Sequence, residues 1–401
     1  MPKHILFLDN VENSPHGSLL VKKSKQQNNF WNVDNLLGHF DGYSSNSFYN
    51  LKHHELFSNE DIKYIFSFVH MPITNFPYLS TQALDLLRND SNTYLILFSA
   101  LEYTITEKEL YIKLSRLNIP LEKVVVLCSN IEAHNKELFG VKYICINFWE
   151  SYSKKHLTLL PGGTISSPQT RLTSLKTARK KFLSLNRNVK PHRIWFYYSL
   201  IKTNTLDQGH VSFHLPDVDP VLFKKEIHDF HHVLRKIPQK LHSDFQKTAA
   251  RKMYTRKLDI LDKDNIINYK DTTTPFYNDS VVSLITESDD SKNFLTEKTY
   301  KAIANLHPFF IIGNPDQHAL LRARGYYTFE DLFQVERVNN YREACDLLQR
   351  INETSIEVLR DTVRENYFDK LLHNQQNFLT RKTSWDAILK EIKKRFGTDK
   401  N

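Results

Sequence analysis

Lys181-Phe-Leu-Ser-Leu-Asn-Arg-Asn-Val-Lys-Pro-His-Arg193 changes character twice. The apolar run Phe182–Leu185 reads as a buried strand. A polar turn follows, and Pro191 opens a helix that runs through His192–Ile201. Proline suits a first helical turn because its ring pre-sets the backbone dihedral and its missing N–H is not needed there. A strand that turns directly into a helix is the repeating unit of a parallel sheet with helices on its faces.

The same alternation extends in both directions. Upstream, Ile5–Leu8, Tyr64–Val69, Tyr94–Phe98, Val124–Leu127 and Tyr143–Asn147 read as strands buried on both faces. Thr81–Arg88 and Glu107–Leu117 are long enough to be crossover helices. Downstream, Val281–Ile285 and Phe309–Ile312 are strands with a helix, Glu297–Asn305, between them. The final segment puts Trp385, Ile388, Leu389, Ile392 and Phe396 on one face at helical spacing. The expected class is therefore α/β, with two Rossmann-like domains facing a cleft. Residues 1–160 form an N-terminal acceptor domain, 161–180 a linker marked by Pro161-Gly-Gly163 and Ser166-Ser-Pro168, 181–375 a donor-binding domain, and 376–401 a C-terminal helix.

Composition is consistent with this. A chain of 401 residues exceeds one ordinary core, and 40% apolar with 25% charged residues are globular values. With only 10 glycines, a glycine-rich phosphate loop is not the expected binding device. Cys128, Cys145 and Cys345 have no metal-like spacing, and Cys128 and Cys145 sit in strand-like runs as core thiols. No stretch approaches the roughly 20 apolar residues of a membrane helix, so the expectation is a cytoplasmic protein with no integral membrane segment. The net charge of +9 is concentrated: residues 171–193 hold eight basic residues and no acidic one, and 224–257 hold ten basic against three acidic. Such a field attracts a nucleotide diphosphate, a nucleic acid or an anionic surface; a solvated helix face is the plainer reading of the second segment.

Two segments carry chemistry. In the first, Asn186, Arg187, His192 and Arg193 gather at a strand's carboxyl end and a helix N-terminus, where guanidinium groups and backbone donors can hold phosphate. In the second, Ser283-Leu-Ile-Thr-Glu287 is followed by Phe294-Leu-Thr-Glu-Lys-Thr-Tyr-Lys-Ala-Ile303 and His307-Pro-Phe-Phe-Ile-Ile-Gly313. Glu297, at a helix start, is suited to a ribose diol, and Lys298 to a diphosphate. Thr296 with Glu297 could equally be an ordinary helix cap.

This pattern, with Leu185-Asn-Arg187 and Pro191-His-Arg193 upstream, resembles glycosyltransferase-like proteins of large DNA viruses, phages and bacteria. Its Glu-Lys helix is similar to the donor element of α-1,3-fucosyltransferases and, more distantly, exostosin-type enzymes, which have the GT-B fold. The resemblance covers about residues 181–335, including Gly325–Phe333. It implies a glycosyltransferase, with Glu297 on the donor ribose, Lys298 on the diphosphate, and Arg187 or Arg193 as the arginine partner. His192 and Thr296 complete the donor set. The segment 287–297 departs from the fucosyltransferase pattern, so the sugar is not transferred with the resemblance.

No resident cofactor or metal is expected; the nucleotide-diphosphate sugar enters as donor substrate. Asp217-Val-Asp219 matches a short metal signature, but its setting between prolines reads as a turn. His228, His231 and His232 read as part of a basic helix face. The candidates for a general base toward the acceptor hydroxyl follow N-domain strands: Glu102 first, then Asp9 and His70. The expected acceptor is a glycan. DNA bearing a hydroxymethylated base is the alternative, and a non-catalytic nucleic-acid-binding protein is a second one.

Overall fold

The computed structural model describes residues 3–8, 40–41, 48–68, 79–99, 107–129, 136–159, 165–186, 190–213, 234–251, 274–288, 295–382 and 384–398. The chain is mixed α/β and forms two units, Met1–Tyr152 with Lys382–Asn401, and Ser153–Arg381.

The first unit is built on strands β1 (His4–Leu8), β2 (Phe48–Asn50), β3 (Ile62–Phe68), β4 (Thr93–Ser99), β5 (Val124–Cys128), β6 (Glu137–Leu138) and β7 (Val141–Cys145). They pair in the order β2-β1-β3-β4-β5-β7-β6. Every pairing is parallel except the short hairpin of β6 on β7. Helices α1 (Thr81–Asn89) and α2 (Glu107–Arg116) are the crossovers, and α3 (Phe148–Leu159) follows β7. Continuous apolar runs become central strands because both faces of such a sheet are covered. On one face Phe7, Ile65, Leu95, Leu97, Val124 and Val126 pack with Ala83, Leu87, Leu110 and Leu114 of α1 and α2.

The second unit takes in the end of α3 from Ser153 and then contains α4 (Pro168–Thr177), β8 (Lys180–Asn186), α5 (Pro191–Lys202), β9 (Gly209–Phe213), α6 (His242–Arg251) and α7 (Thr274–Asn278). It continues with β10 (Ser280–Thr286), α8 (Glu297–Ala304) and β11 (Phe309–Ile312). Five further helices follow: α9 (Asp316–Ala323), α10 (Glu330–Phe333), α11 (Tyr341–Glu353), α12 (Ile356–Thr362) and α13 (Phe368–Thr380). The sheet is wholly parallel, in the order β11-β10-β8-β9. Gly209 is required where β9 begins, because a Cβ there would run into the Phe182 ring.

Two boundaries differ from the sequence reading. The stretch 161–180 contains α4, capped by Ser167 and fixed to the second unit by Arg171. That guanidinium is fully buried and donates to the main-chain oxygens of Leu306, Tyr277, Ser280 and Val281 at 2.6–3.1 Å. Burial pushes its pKa down to about 9, so it remains charged at neutral pH. The stretch 376–401 is also divided. α13 ends at Thr380 in the second unit, whereas α14 (Trp385–Phe396) covers the other face of the first sheet. Phe396 lies 4.3 Å from Tyr94 and Trp385 lies 5.8 Å from Phe66, ring to ring. The apolar face read from its spacing is what draws α14 back: Trp385, Ile388 and Ile392 are buried.

Candidate functional site

The second sheet changes direction beside β8. The chain leaves β8 to form β9 on one side and returns to form β10 on the other. In open α/β sheets such a reversal leaves a crevice outside the carboxyl ends of the two strands, and ligands bind there. β8 ends at Asn186 and β10 at Thr286, both buried, and the Thr286 hydroxyl donates to Asn186 Oδ1. The Asn186 main-chain N–H in turn donates to Ser212 Oγ of β9 at 2.9 Å.

Glu287, the next residue after β10, is 1% exposed. Its carboxylate accepts from the hydroxyls of Thr296 and Thr299, the latter at 2.5 Å. Its main-chain oxygen accepts from His192 Nε2 at 2.7 Å and Arg193 Nη2 at 3.1 Å. One residue thus ties the end of β10 to the first turns of both α5 and α8.

Thr296 is the N-cap of α8: its hydroxyl oxygen accepts from the Lys298 main-chain N–H. Lys298 Nζ lies 3.2 Å from that oxygen, 3.3 Å from Ser288 Oγ and 3.0 Å from Glu297 Oε1. The Glu297 and Lys298 side chains are 20% and 17% exposed, so both are held and both remain reachable. Burial alone would raise the Glu297 pKa; Lys298 and Lys301 outweigh it and keep the carboxyl below its ordinary value. A lysine in the first turn of a helix stands against the helix dipole, which favours anions there. The internal pair with Glu297 offsets that cost, and an incoming anion would offset it further. A fixed carboxylate and an ammonium at a helix N-terminus can together hold a hydroxyl-bearing anion.

The structure therefore brings His192, Arg193, Thr296, Glu297 and Lys298 to one strand-end crevice. His192 and Arg193 are buried and brace the Glu287 carbonyl from behind. Arg187, Asp9, His70 and Glu102 lie outside the described residues, as do Asp217, Asp219, His228, His231 and His232. The strands preceding the three base candidates end at Leu8, Phe68 and Ser99. Glu287 carries no role in the sequence reading. The signal for it was the threonine pair at 296 and 299, one helical turn apart, which needs a buried acceptor.

The basic stretch 171–193 is largely occupied within the second unit. Arg171 is buried, and Arg179 pairs with Asp279 at 2.8 Å. Lys180 donates to the Asp207 main-chain oxygen, and Lys181 to those of Ile351 and Asn352 at the end of α11. Among the described residues no cluster of three or more His, Cys, Asp or Glu is placed to hold a metal. None of the described helices is long and apolar enough to cross a membrane.

No protein-family model matches the chain, and no curated protein matches it either. Solved structures are similar at a distance. One is an α1,3-fucosyltransferase, at 12% identity and a TM-score of 0.44, over all of this chain and 92% of that one. A second, UDP-forming α,α-trehalose-phosphate synthase from Burkholderia xenovorans, is 11% identical with a TM-score of 0.43, over 99% of both chains. A third, described as trehalose-6-phosphate from E. coli bound with UDP-2-fluoro glucose, is 13% identical with a TM-score of 0.39, over 86% and 73%.

Proposed function

We propose that the chain is a glycosyltransferase that moves a sugar from a nucleotide-diphosphate sugar to a hydroxyl acceptor. The observation that carries this reading is the Glu297–Lys298 pair on the first turn of α8, at the switch-point crevice between β8 and β10. Glu297 accepts from the ribose hydroxyls. Lys298 and the amides of the first turn of α8 face the diphosphate, with Arg187 as the arginine partner. Arg193 is assigned to support, because its guanidinium is buried against the Thr286 and Glu287 carbonyls.

In the reaction the bond between the anomeric carbon and the diphosphate oxygen breaks, and the acceptor oxygen bonds to that carbon. The acceptor's proton passes to a base, for which Glu102, Asp9 and His70 are the candidates. Fixed positive charge and helix N–H groups stabilise the departing diphosphate, the role a divalent cation takes in other enzymes. This chemistry needs no metal. A glycan acceptor is favoured over duplex DNA because Arg171, Arg179, Lys180, Lys181 and Arg193 are already engaged within the unit.

Calorimetric titration with UDP, GDP and their sugars tests the reading. Micromolar binding to one nucleotide, weakened at least tenfold in Lys298→Ala and in Glu297→Ala, is the expected outcome. Equal binding by both variants and the parent protein would remove the site. A steep fall in duplex-DNA affinity with added salt would move the acceptor to DNA.

A further inference from the structure

We infer that Glu287 is the positioning residue of this site: it sets the polarity of the Thr296 hydroxyl and thereby holds Lys298 ready for a diphosphate. The inference rests on the donor-site reading above and adds to it the residue on which that site depends.

A threonine hydroxyl has one proton and two lone pairs. In this structure the proton of Thr296 goes to the Glu287 carboxylate. The lone pairs are thereby left toward the two donors of Lys298, its main-chain N–H at 3.4 Å and its ammonium at 3.2 Å. The second carboxylate oxygen is taken by Thr299, one turn further along α8. Glu287 therefore presents two acceptors to two hydroxyls and nothing that donates. It is fixed from behind as well, since its carbonyl accepts from His192 and Arg193. Neither Glu287 nor Thr296 is exposed enough to be a primary ligand contact, at 1% and 0%. Their work is done through Lys298.

An amide in place of the carboxylate separates polarity from shape. Glutamine at 287 offers one acceptor and one donor, so at least one threonine must reverse its hydroxyl. If Thr296 reverses, its proton faces the ammonium of Lys298 and pushes that side chain away. Loss of a hydrogen bond to a charged group is large enough to read as about a tenfold change in affinity.

The experiment measures Kd for UDP, GDP, UMP and GMP on the full chain, and takes the diphosphate-to-monophosphate affinity ratio as the readout. Glu287→Gln and Thr296→Val are each expected to lower that ratio about tenfold. The double variant should lower it no further, because both changes break one coupled unit. Thr296→Ser, which keeps the hydroxyl, should retain the parent ratio. A parent-like ratio in Glu287→Gln, alongside a lowered one in Lys298→Ala, overturns the inference and leaves the donor site standing. A parent-like ratio in Lys298→Ala, or no nucleotide binding by the parent protein, brings down the donor site and this inference with it. Should Glu287→Gln not fold, Thr296→Val and Thr296→Ser decide alone: equal ratios in the two overturn it.

Discussion

Asn186 and Thr286, the last residues of adjacent parallel strands, are hydrogen-bonded side chain to side chain at the point where the second sheet reverses its strand order. Neither side chain is exposed; the Asn186 side-chain nitrogen donates to Ser184 Oγ as well, and the Thr286 hydroxyl finds its acceptor in Asn186 Oδ1. Removing one leaves a buried polar group without its partner, which costs about 1–3 kcal/mol. Asn186→Ala should therefore lower the unfolding free energy measured in urea by that amount and weaken nucleotide binding, because both strand ends that frame the crevice lose their tie. Thermal and binding measurements on one preparation would check both effects; a change in neither speaks against a shared frame.

Lys301 lies one turn beyond Lys298 and is buried, and together the two lysines hold the Glu297 carboxyl below its ordinary pKa against the cost of desolvation. The carboxylate form, which accepts from a ribose, therefore persists as pH falls until the lowered pKa is reached. Lys301→Met should raise that pKa and shift the acid loss of nucleotide affinity to higher pH, with little effect at neutrality. Titrations of Kd between pH 4 and 7 would show it. Superimposable profiles would argue that Lys301 does not act on Glu297.

Glu330 gives a stability prediction with a defined window. Burial raises its pKa, but His318 Nδ1 at 3.1 Å more than reverses this and takes it down to about 2 from 4.5. A folded-state pKa below the unfolded value means the contribution is complete above pH 4.5 and is lost as pH falls through about 2. Glu330→Gln should be less stable than the parent at pH 7. It should also show a flatter decline between pH 4.5 and 2. Urea melts across that range would measure both.

Trp385 is 1% exposed and packs on Phe40 and Phe66. Trp385→Ala should cost about 3–5 kcal/mol, as large-to-small changes of buried aromatics do. The loss belongs to the first unit. Nucleotide affinity, measured below the unfolding transition, should stay within about twofold of the parent value.

Much of the fold was legible because its central strands are continuous apolar runs. Val124–Leu127 and Phe309–Ile312 were read within a residue of their observed bounds, since full burial leaves few alternatives for such runs. β9 was not read. It is an edge strand, and Gly209, His210 and Ser212 break its apolar pattern. At the site, Glu297 and Lys298 were legible from their place at a helix start. Glu287 was not, because its place depends on meeting Thr296 and Thr299, nine and twelve residues further along the chain. The basic stretch 171–193 shows the opposite difficulty. A residue count registers charge, but it does not register that Arg171 spends its guanidinium on four buried carbonyls.

The return of α14 to the first sheet has a consequence for biosynthesis. A ribosome releases Tyr64, Phe66 and Tyr94 early, but Trp385 and Phe396 only about 290 to 300 residues after Tyr94. At about 5–20 residues per second that interval is on the order of fifteen to sixty seconds. Throughout it an aromatic sheet face lacks its own cover while the second unit can complete itself. The nascent first unit is thus the more dependent on a holding chaperone until Trp385–Phe396 has emerged.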